Sequence, residues 1–206
     1  MPLKGMKNSR TWINMNRPKN AGFTLLETML VIAIVGILTA VAVPSLQDMI
    51  ESNNLKQVAE GLKSDMQFAR TEAIKHSEDV IVSRTAGDAG TWCYGLARKS
   101  PSSKTSCVCA ETNTADADYC DIKIVLGAAF SKVNMAADDG GNNTFKFRRG
   151  TIGNNGVTFS TDSYAARVVF SAVGRVRICS PSTAAHPMPV GKVGLPDKEN
   201  CTGTDD

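Results

Sequence analysis

Histidine is nearly missing from the chain: only His76 and His186 occur among 206 residues. Neither comes with the nucleophile and orienting acid that a catalytic triad needs. No glycine-rich loop ends in Lys-Ser or Lys-Thr, which excludes the phosphate cradle of nucleotide hydrolases. The run Asp138-Asp139-Gly140-Gly141-Asn142-Asn143 lacks the alternating ligands and closing glutamate of a calcium loop, so it reads as a solvated turn. Neither histidine stands at ligand spacing from Cys107-Val108-Cys109, which argues against zinc. No enzyme, metal or cofactor is expected; the chain reads as a substrate of processing enzymes.

Acids are absent from residues 1–22, which carry Lys4, Lys7, Arg10, Arg17 and Lys19. Charge is almost absent from the next 21 residues, Phe23 to Val43, where Glu27 is the one ionisable side chain. At about 1.5 Å per residue, that length crosses a hydrocarbon core of about 30 Å as a helix. The basic flank stays cytoplasmic, which puts the chain after about Pro44 outside the inner membrane. A secretory signal has a shorter apolar core, about 7 to 15 residues, with its small-residue cleavage site behind it. Here the small residue, Gly22, stands in front. A lone carboxylate inside a membrane costs about 2.5 to 3.5 kcal/mol unless it reaches an interface or a partner. A cut between Gly22 and Phe23 would create an amine able to partner Glu27 of a neighbouring copy. In an uncleaved anchor, Glu27 would instead sit at the cytoplasmic interface.

Gly22-Phe23-Thr24-Leu25-Leu26-Glu27, with Pro44 further on, resembles the class III signal of type IV pilins and type II secretion pseudopilins. The resemblance implies that a prepilin peptidase cuts after Gly22, that Phe23 is N-methylated and that Glu27 aligns subunits. It also implies partners: major and minor pilins through the N-terminal helix, the peptidase, and the inner membrane before assembly.

Beyond Pro44 the apolar residues Leu55, Val58, Leu62, Met66, Ala69 and Ala73 recur at steps of three and four. That period predicts an amphipathic continuation of the helix to about His76, roughly 80 Å in all at 1.5 Å per residue. Gly36 and Pro44 are its weak points. From Val80 the pattern turns to short β-type runs: Val80 to Arg84, Thr91 to Arg98, Ile122 to Leu126, Thr144 to Phe147, Val157 to Phe159, Ala166 to Ser171 and Val176 to Cys179. Gly- and Asn-rich breakers, including Gly153-Asn154-Asn155-Gly156, separate them. Lys99 to Asp121 reads as a disulfide-pinned insertion. The expected fold class is therefore α+β, a pilin fold with a long N-terminal helix packed on an antiparallel β-sheet domain. The expected boundaries are a removed leader over 1–22, a membrane or filament-core helix over 23–46 and an amphipathic helix over 47–78. A β-rich domain over 79–179 and a Pro-rich tail over 180–206 follow.

Six cysteines, Cys93, Cys107, Cys109, Cys120, Cys179 and Cys201, fall beyond the membrane, where disulfides persist. Three bridges are expected: Cys179 with Cys201, and two among the other four. Cys107 with Cys109 is the least expected pair, because residues so close rarely meet the required geometry.

The chain has 23 basic and 20 acidic residues, but five of the basic ones lie in the leader, which leaves 18 against 20 in a cleaved product. Any affinity for nucleic acid must then come from a local patch. Between Lys146 and Lys192 the only acid is Asp162, while Lys146, Arg148, Arg149, Arg167, Arg175, Arg177 and Lys192 are basic. In Gly174-Arg175-Val176-Arg177, side chains two apart share a face if the segment is a strand, and arginine forks bind phosphates. On composition alone these are ordinary surface arginines.

The layout also resembles the minor pilins of the FimT, FimU and GspH family. The landmarks are Ala69-Arg70-Thr71-Glu72-Ala73, Trp92 with Tyr94-Gly95-Leu96, and Phe170-Ser171-Ala172-Val173-Gly174-Arg175. In FimT-like members a G-R-x-R segment is associated with DNA binding in natural transformation, and Gly174 to Arg177 matches it. The resemblance implies a minor type IV pilin in or at the tip of the pilus that binds extracellular double-stranded DNA. Its implied location is the inner membrane, single-pass with the C-terminal domain in the periplasm, then the pilus or cell surface. A structural tip subunit that primes assembly, or a GspH-like minor pseudopilin of type II secretion, fits the helix equally well. The insertion around Cys107 to Cys120 departs from the simplest members.

Overall fold

The computed structural model describes residues 22–100, 103–136, 141–182 and 188–201. The expected leader up to residue 21, Asp138 to Gly140 of the acidic turn, and His186 lie outside them. The chain divides into two units, one ending at Val43 and one beginning at Pro44.

In the first unit the described chain is helical from Leu25, the start of α1 (Leu25–His76). Thr24 caps it: its Oγ1 accepts the Glu27 N–H at 3.2 Å, satisfying one of the donors that open a helix. Thr28 and Thr39 donate their hydroxyls to Leu25 O at 2.8 Å and Val35 O at 2.9 Å, so neither leaves an unpaired hydroxyl on an apolar surface. The side chains from Phe23 to Val43 are exposed. By length and composition this part of α1 could cross a membrane.

In the second unit, α1 continues through Pro44 and buries Leu55, Val58, Ala59, Leu62, Met66, Ala69 and Ala73. This stripe contains every position that the three-four period picks out. The helix ends in a Schellman cap: Ser77 is left-handed at φ 56°, its N–H meets Ile74 O at 3.4 Å and the Glu78 N–H meets Ala73 O at 3.2 Å.

Among the described residues nine strands follow: β1 (Val80–Thr85), β2 (Cys93–Arg98), β3 (Lys123–Leu126), β4 (Asn134–Met135), β5 (Gly141–Phe145), β6 (Asn155–Ser160), β7 (Tyr164–Phe170), β8 (Val176–Cys179) and β9 (Val193–Gly194). They form one sheet in the order β3-β2-β1-β5 and a second in the order β4-β6-β7-β8, with β9 also on β7. Among the described residues the pairings between strands are antiparallel, except β7 with β9. The α1 stripe meets Val80, Val82 and Leu96 of the first sheet and Val157, Phe159, Val168 and Phe170 of the second in one core. Trp92 joins the sheets. It stacks parallel to Tyr94, meets Phe159 edge-on with centroids 5.4 Å apart, and donates its indole N–H to Val133 O at 2.7 Å. The pairing satisfies the one polar group of a buried aromatic.

The structure joins Cys93 to Cys109, Cys107 to Cys120 and Cys179 to Cys201. The first two bridges pin the insertion against Ala97 and Ile124 in a separate small cluster, and Cys107 donates its backbone N–H to Ser83 Oγ at 2.8 Å. The third closes the tail, which also ties to α1 through Lys198 to Glu60 at 3.1 Å and Lys56 to Asp197 at 3.1 Å.

Three local differences from the sequence reading stand out. Gly141 to Asn143, read as a breaker, pair with Arg84 to Val82 in β5, and Asn155 with Gly156 opens β6 against Phe170 and Val169. Neighbouring strands supply the hydrogen bonds that outweigh the poor strand propensity of Asn and Gly. The prolines of the tail leave room for the two residues of β9.

Candidate nucleic-acid interface

Two turns and one helix position assemble a basic end on the second unit. In the first turn, the Lys146 N–H meets Thr151 O at 2.8 Å and the Gly150 N–H meets Lys146 O at 2.7 Å. In the second, the Ser171 N–H meets Arg175 O at 3.0 Å and the Gly174 N–H meets Ser171 O at 2.8 Å. The two are tied by the Ile152 N–H to Ala172 O at 3.3 Å. Arg70 of α1 reaches the same place and donates Nη1 to Gly174 O at 3.4 Å.

Only glycine suits the junction. Gly150 and Gly174 have φ of 59° and 78°. A Cβ on Gly174 would stand 2.3 Å from Gly150 O, and one on Gly150 would stand 2.7 Å from Arg70 Nε. Gly174→Ala should therefore destabilise the domain by at least about 2 kcal/mol, since left-handed strain and a clash with backbone add. Urea unfolding would show it, and a variant with an unchanged midpoint would contradict this packing.

The sequence-predicted basic residues fall into two groups. Arg175 and Arg177 are exposed while Val176 between them is buried, so the two arginines share the outward face. Arg148 and Arg149 are exposed in the first turn, and Arg148 lies over the Phe147 ring with 5.6 Å to its centroid. Lys146 is exposed and paired with Asp79 at 2.9 Å.

Arg167 and Lys192 are corrections. Arg167 is buried in β7, donates Nη1 to Thr158 Oγ1 at 2.6 Å and lies against Gly156, so a phosphate cannot reach it. Lys192 is half-buried, and its ammonium binds the carbonyls of Thr161 and Asp162. Sequence reasoning did not place Arg70 here, nor Phe147 as a stacking partner. Arg70 follows core position Ala69 on the helix, and nothing local to it signals contact with turns 80 to 104 residues later.

Asp79 is the acidic residue that contacts Lys146 and Phe147 beside these arginines. Partial burial pushes its carboxyl up, but hydrogen bonds from Lys146 and the Phe147 N–H outweigh this and hold it below its ordinary value. It is therefore ionised at neutral pH. Among the described residues no group of histidine, cysteine, aspartate and glutamate is placed to hold a metal ion.

At the other end of the chain, Gly22 and Phe23 are exposed ahead of the helix and Glu27 occupies its first turn.

A family model described as "Type II transport protein GspH" matches residues 58–174, and one described as "Prokaryotic N-terminal methylation motif" matches residues 17–43. A fimbrial protein of Moraxella nonliquefaciens is 34% identical over 111 residues, covering 52% of this chain and 66% of that protein. A fimbrial protein of Pseudomonas aeruginosa is 36% identical over 67 residues, covering 32% and 43%. The type IV major fimbrial protein FimA of Dichelobacter nodosus is 31% identical over 110 residues, covering 52% and 66%. The chain thus spans 43% to 66% of the length of these curated relatives. Among solved structures, the type IV minor pilin FimU of Pseudomonas aeruginosa aligns with a TM-score of 0.47 at 16% identity, over 66% of this chain and 98% of that one.

Proposed function

The chain belongs to the GspH family of minor type IV pilins and pseudopilins, and from that premise we propose that it is a minor pilin whose basic end captures extracellular double-stranded DNA. In this reading prepilin peptidase removes the leader up to Gly22, and Phe23 to about Leu46 holds the protein in the inner membrane. The same helix later packs among other pilins, and the domain after it meets DNA outside, for uptake in transformation. The family is structural, and the chain's own contribution is binding.

The observation that carries the DNA reading is that the turn bearing exposed Arg148 and Arg149 is hydrogen-bonded to the turn that ends at exposed Arg175, with Arg177 on the same outward face of its segment as Arg175. Guanidinium forks suit phosphate oxygens. Phosphates carry no sequence code, so affinity should vary little between DNA sequences.

The test is fluorescence anisotropy of the full chain in detergent with labelled duplex over a range of salt. Each neutralised phosphate adds about 0.9 to the slope of log affinity against log salt. Arg175→Gln with Arg177→Gln should flatten that slope by up to about 2. No binding near physiological salt, or a slope indifferent to the two substitutions, would leave a tip subunit that only primes assembly.

The words "type II transport" in the family description favour a second reading, a minor pseudopilin of a type II secretion system that contacts no DNA. Deleting the gene would then stop secretion and leave DNA uptake untouched.

A further inference from the structure

We propose that the cleft beside the exposed arginines receives one unpaired base, so that the protein prefers DNA carrying single-stranded ends to blunt duplex. The proposal rests on the DNA reading above and adds which part of the DNA enters the cleft.

The cleft has a volume of about 400 Å³ and is lined by Asp79, Lys146, Phe147, Arg148, Arg149 and Thr151. One carboxylate stands there among three basic side chains. The carboxylate of Asp79 accepts hydrogen bonds from Lys146 Nζ at 2.9 Å and the Phe147 N–H at 3.1 Å, which keep it ionised and leave further lone pairs on its oxygens. A carboxylate only accepts hydrogen bonds, so a phosphate makes none with Asp79, whereas Arg149 and Arg175 can donate to it. The group that suits this carboxylate is neutral and carries N–H donors, which is what the pairing edge of a nucleobase presents. In a duplex that edge is occupied by its partner base, so only an unpaired base can offer it.

The wall supplies the second contact. Arg148 lies 5.6 Å over the Phe147 centroid in a cation–π contact, and Arg148 is exposed. An exposed guanidinium beside an aromatic ring offers a surface on which a base can stack. Sequence preference is not expected from stacking, because every base has a π-face.

The test compares three labelled DNAs with the full chain in detergent: a blunt duplex, the same duplex with a single-stranded extension, and that duplex with an abasic extension of equal length. The two extensions carry the same phosphates, so their affinity ratio isolates the base. The normal extension should bind about five-fold or more tighter than the abasic one. Arg148→Lys keeps the charge and loses the plane, so it should bring the ratio close to one. Taking the ratio within one variant cancels any change in phosphate contact. Equal affinity for both extensions, or a ratio that survives Arg148→Lys, would overturn the proposal while duplex binding stands. Failure to bind all three DNAs would overturn the DNA reading and this inference together.

Discussion

A chain carrying Gly22→Leu should accumulate with its leader attached and should be missing from assembled filaments, whereas the unaltered chain should begin at N-methylated Phe23. Mass spectrometry of the native protein distinguishes the two by the mass of residues 1–22. The bond concerned lies in an accessible place: Gly22, Phe23 and Thr24 precede the first helical turn, and Phe23 is 80% exposed. A protease that reads a small residue before an apolar run meets a non-helical segment there, and a bulky side chain at Gly22 removes the small residue. Gly22→Ala should be tolerated in part. Cleavage also creates a cationic amine at the positive end of a helix, which the macrodipole disfavours. In the processed chain Glu27 in the first turn would offset that charge, within the chain or from a neighbouring copy. A mature N-terminus at any other residue would refute the processing scheme.

Replacing both Cys179 and Cys201 by serine should lower the stability of the domain by about 3 kcal/mol. The bridge closes a loop with a sequence separation of 22, and releasing a loop of that size restores roughly this much chain entropy to the unfolded state. For a domain of this size the melting midpoint should fall by about 6 to 12 °C. The loss should reach further than the two sulfurs. The tail they close donates the Cys201 N–H to Ser180 O at 2.8 Å and accepts the Ser180 N–H at Glu199 O at 2.7 Å. It also brings Lys198 and Asp197 to Glu60 and Lys56 on α1. Calorimetry of the oxidised full chain in detergent, beside the double variant, measures the effect. Equal midpoints would mean that the tail contributes nothing to the fold.

The parts of this molecule that were legible in its sequence are those fixed by short-range periodicity. Leu55 to Ala73 recur every three or four residues because one helix face is buried, and Val176 to Cys179 forms the strand expected there, with Val176 buried and Arg177 exposed. What was not legible depends on neighbours distant in sequence. Arg167 and Arg175 stand in the same acid-poor stretch, yet Arg167 belongs to a strand flanked on both sides by β6 and β8 and faces Thr158. Arg175 lies just ahead of β8 and is exposed. No local pattern separates a middle strand from the approach to an outer one. Asn142 and Asn143 illustrate the same point from the other side: their strand exists because Ser83 and Val82 lie opposite. Arg70 joins the basic end only because two glycine turns fold against it.

The two bridges of the insertion also set a condition on how the protein is made. Cys93 pairs with Cys109 and Cys107 with Cys120, so the two loops interleave. A chain oxidised in the order in which it leaves the translocon would first join Cys93 to Cys107 and then Cys109 to Cys120. Undoing those bonds takes thiol–disulfide exchange, unless β1 and β2 form early and present Cys93 and Ser83 as a template. Production in a cytoplasm that keeps thiols reduced, or in an oxidising compartment without an isomerase, should therefore yield mispaired or unbridged chains. A compartment that can shuffle disulfides should return the native pairing.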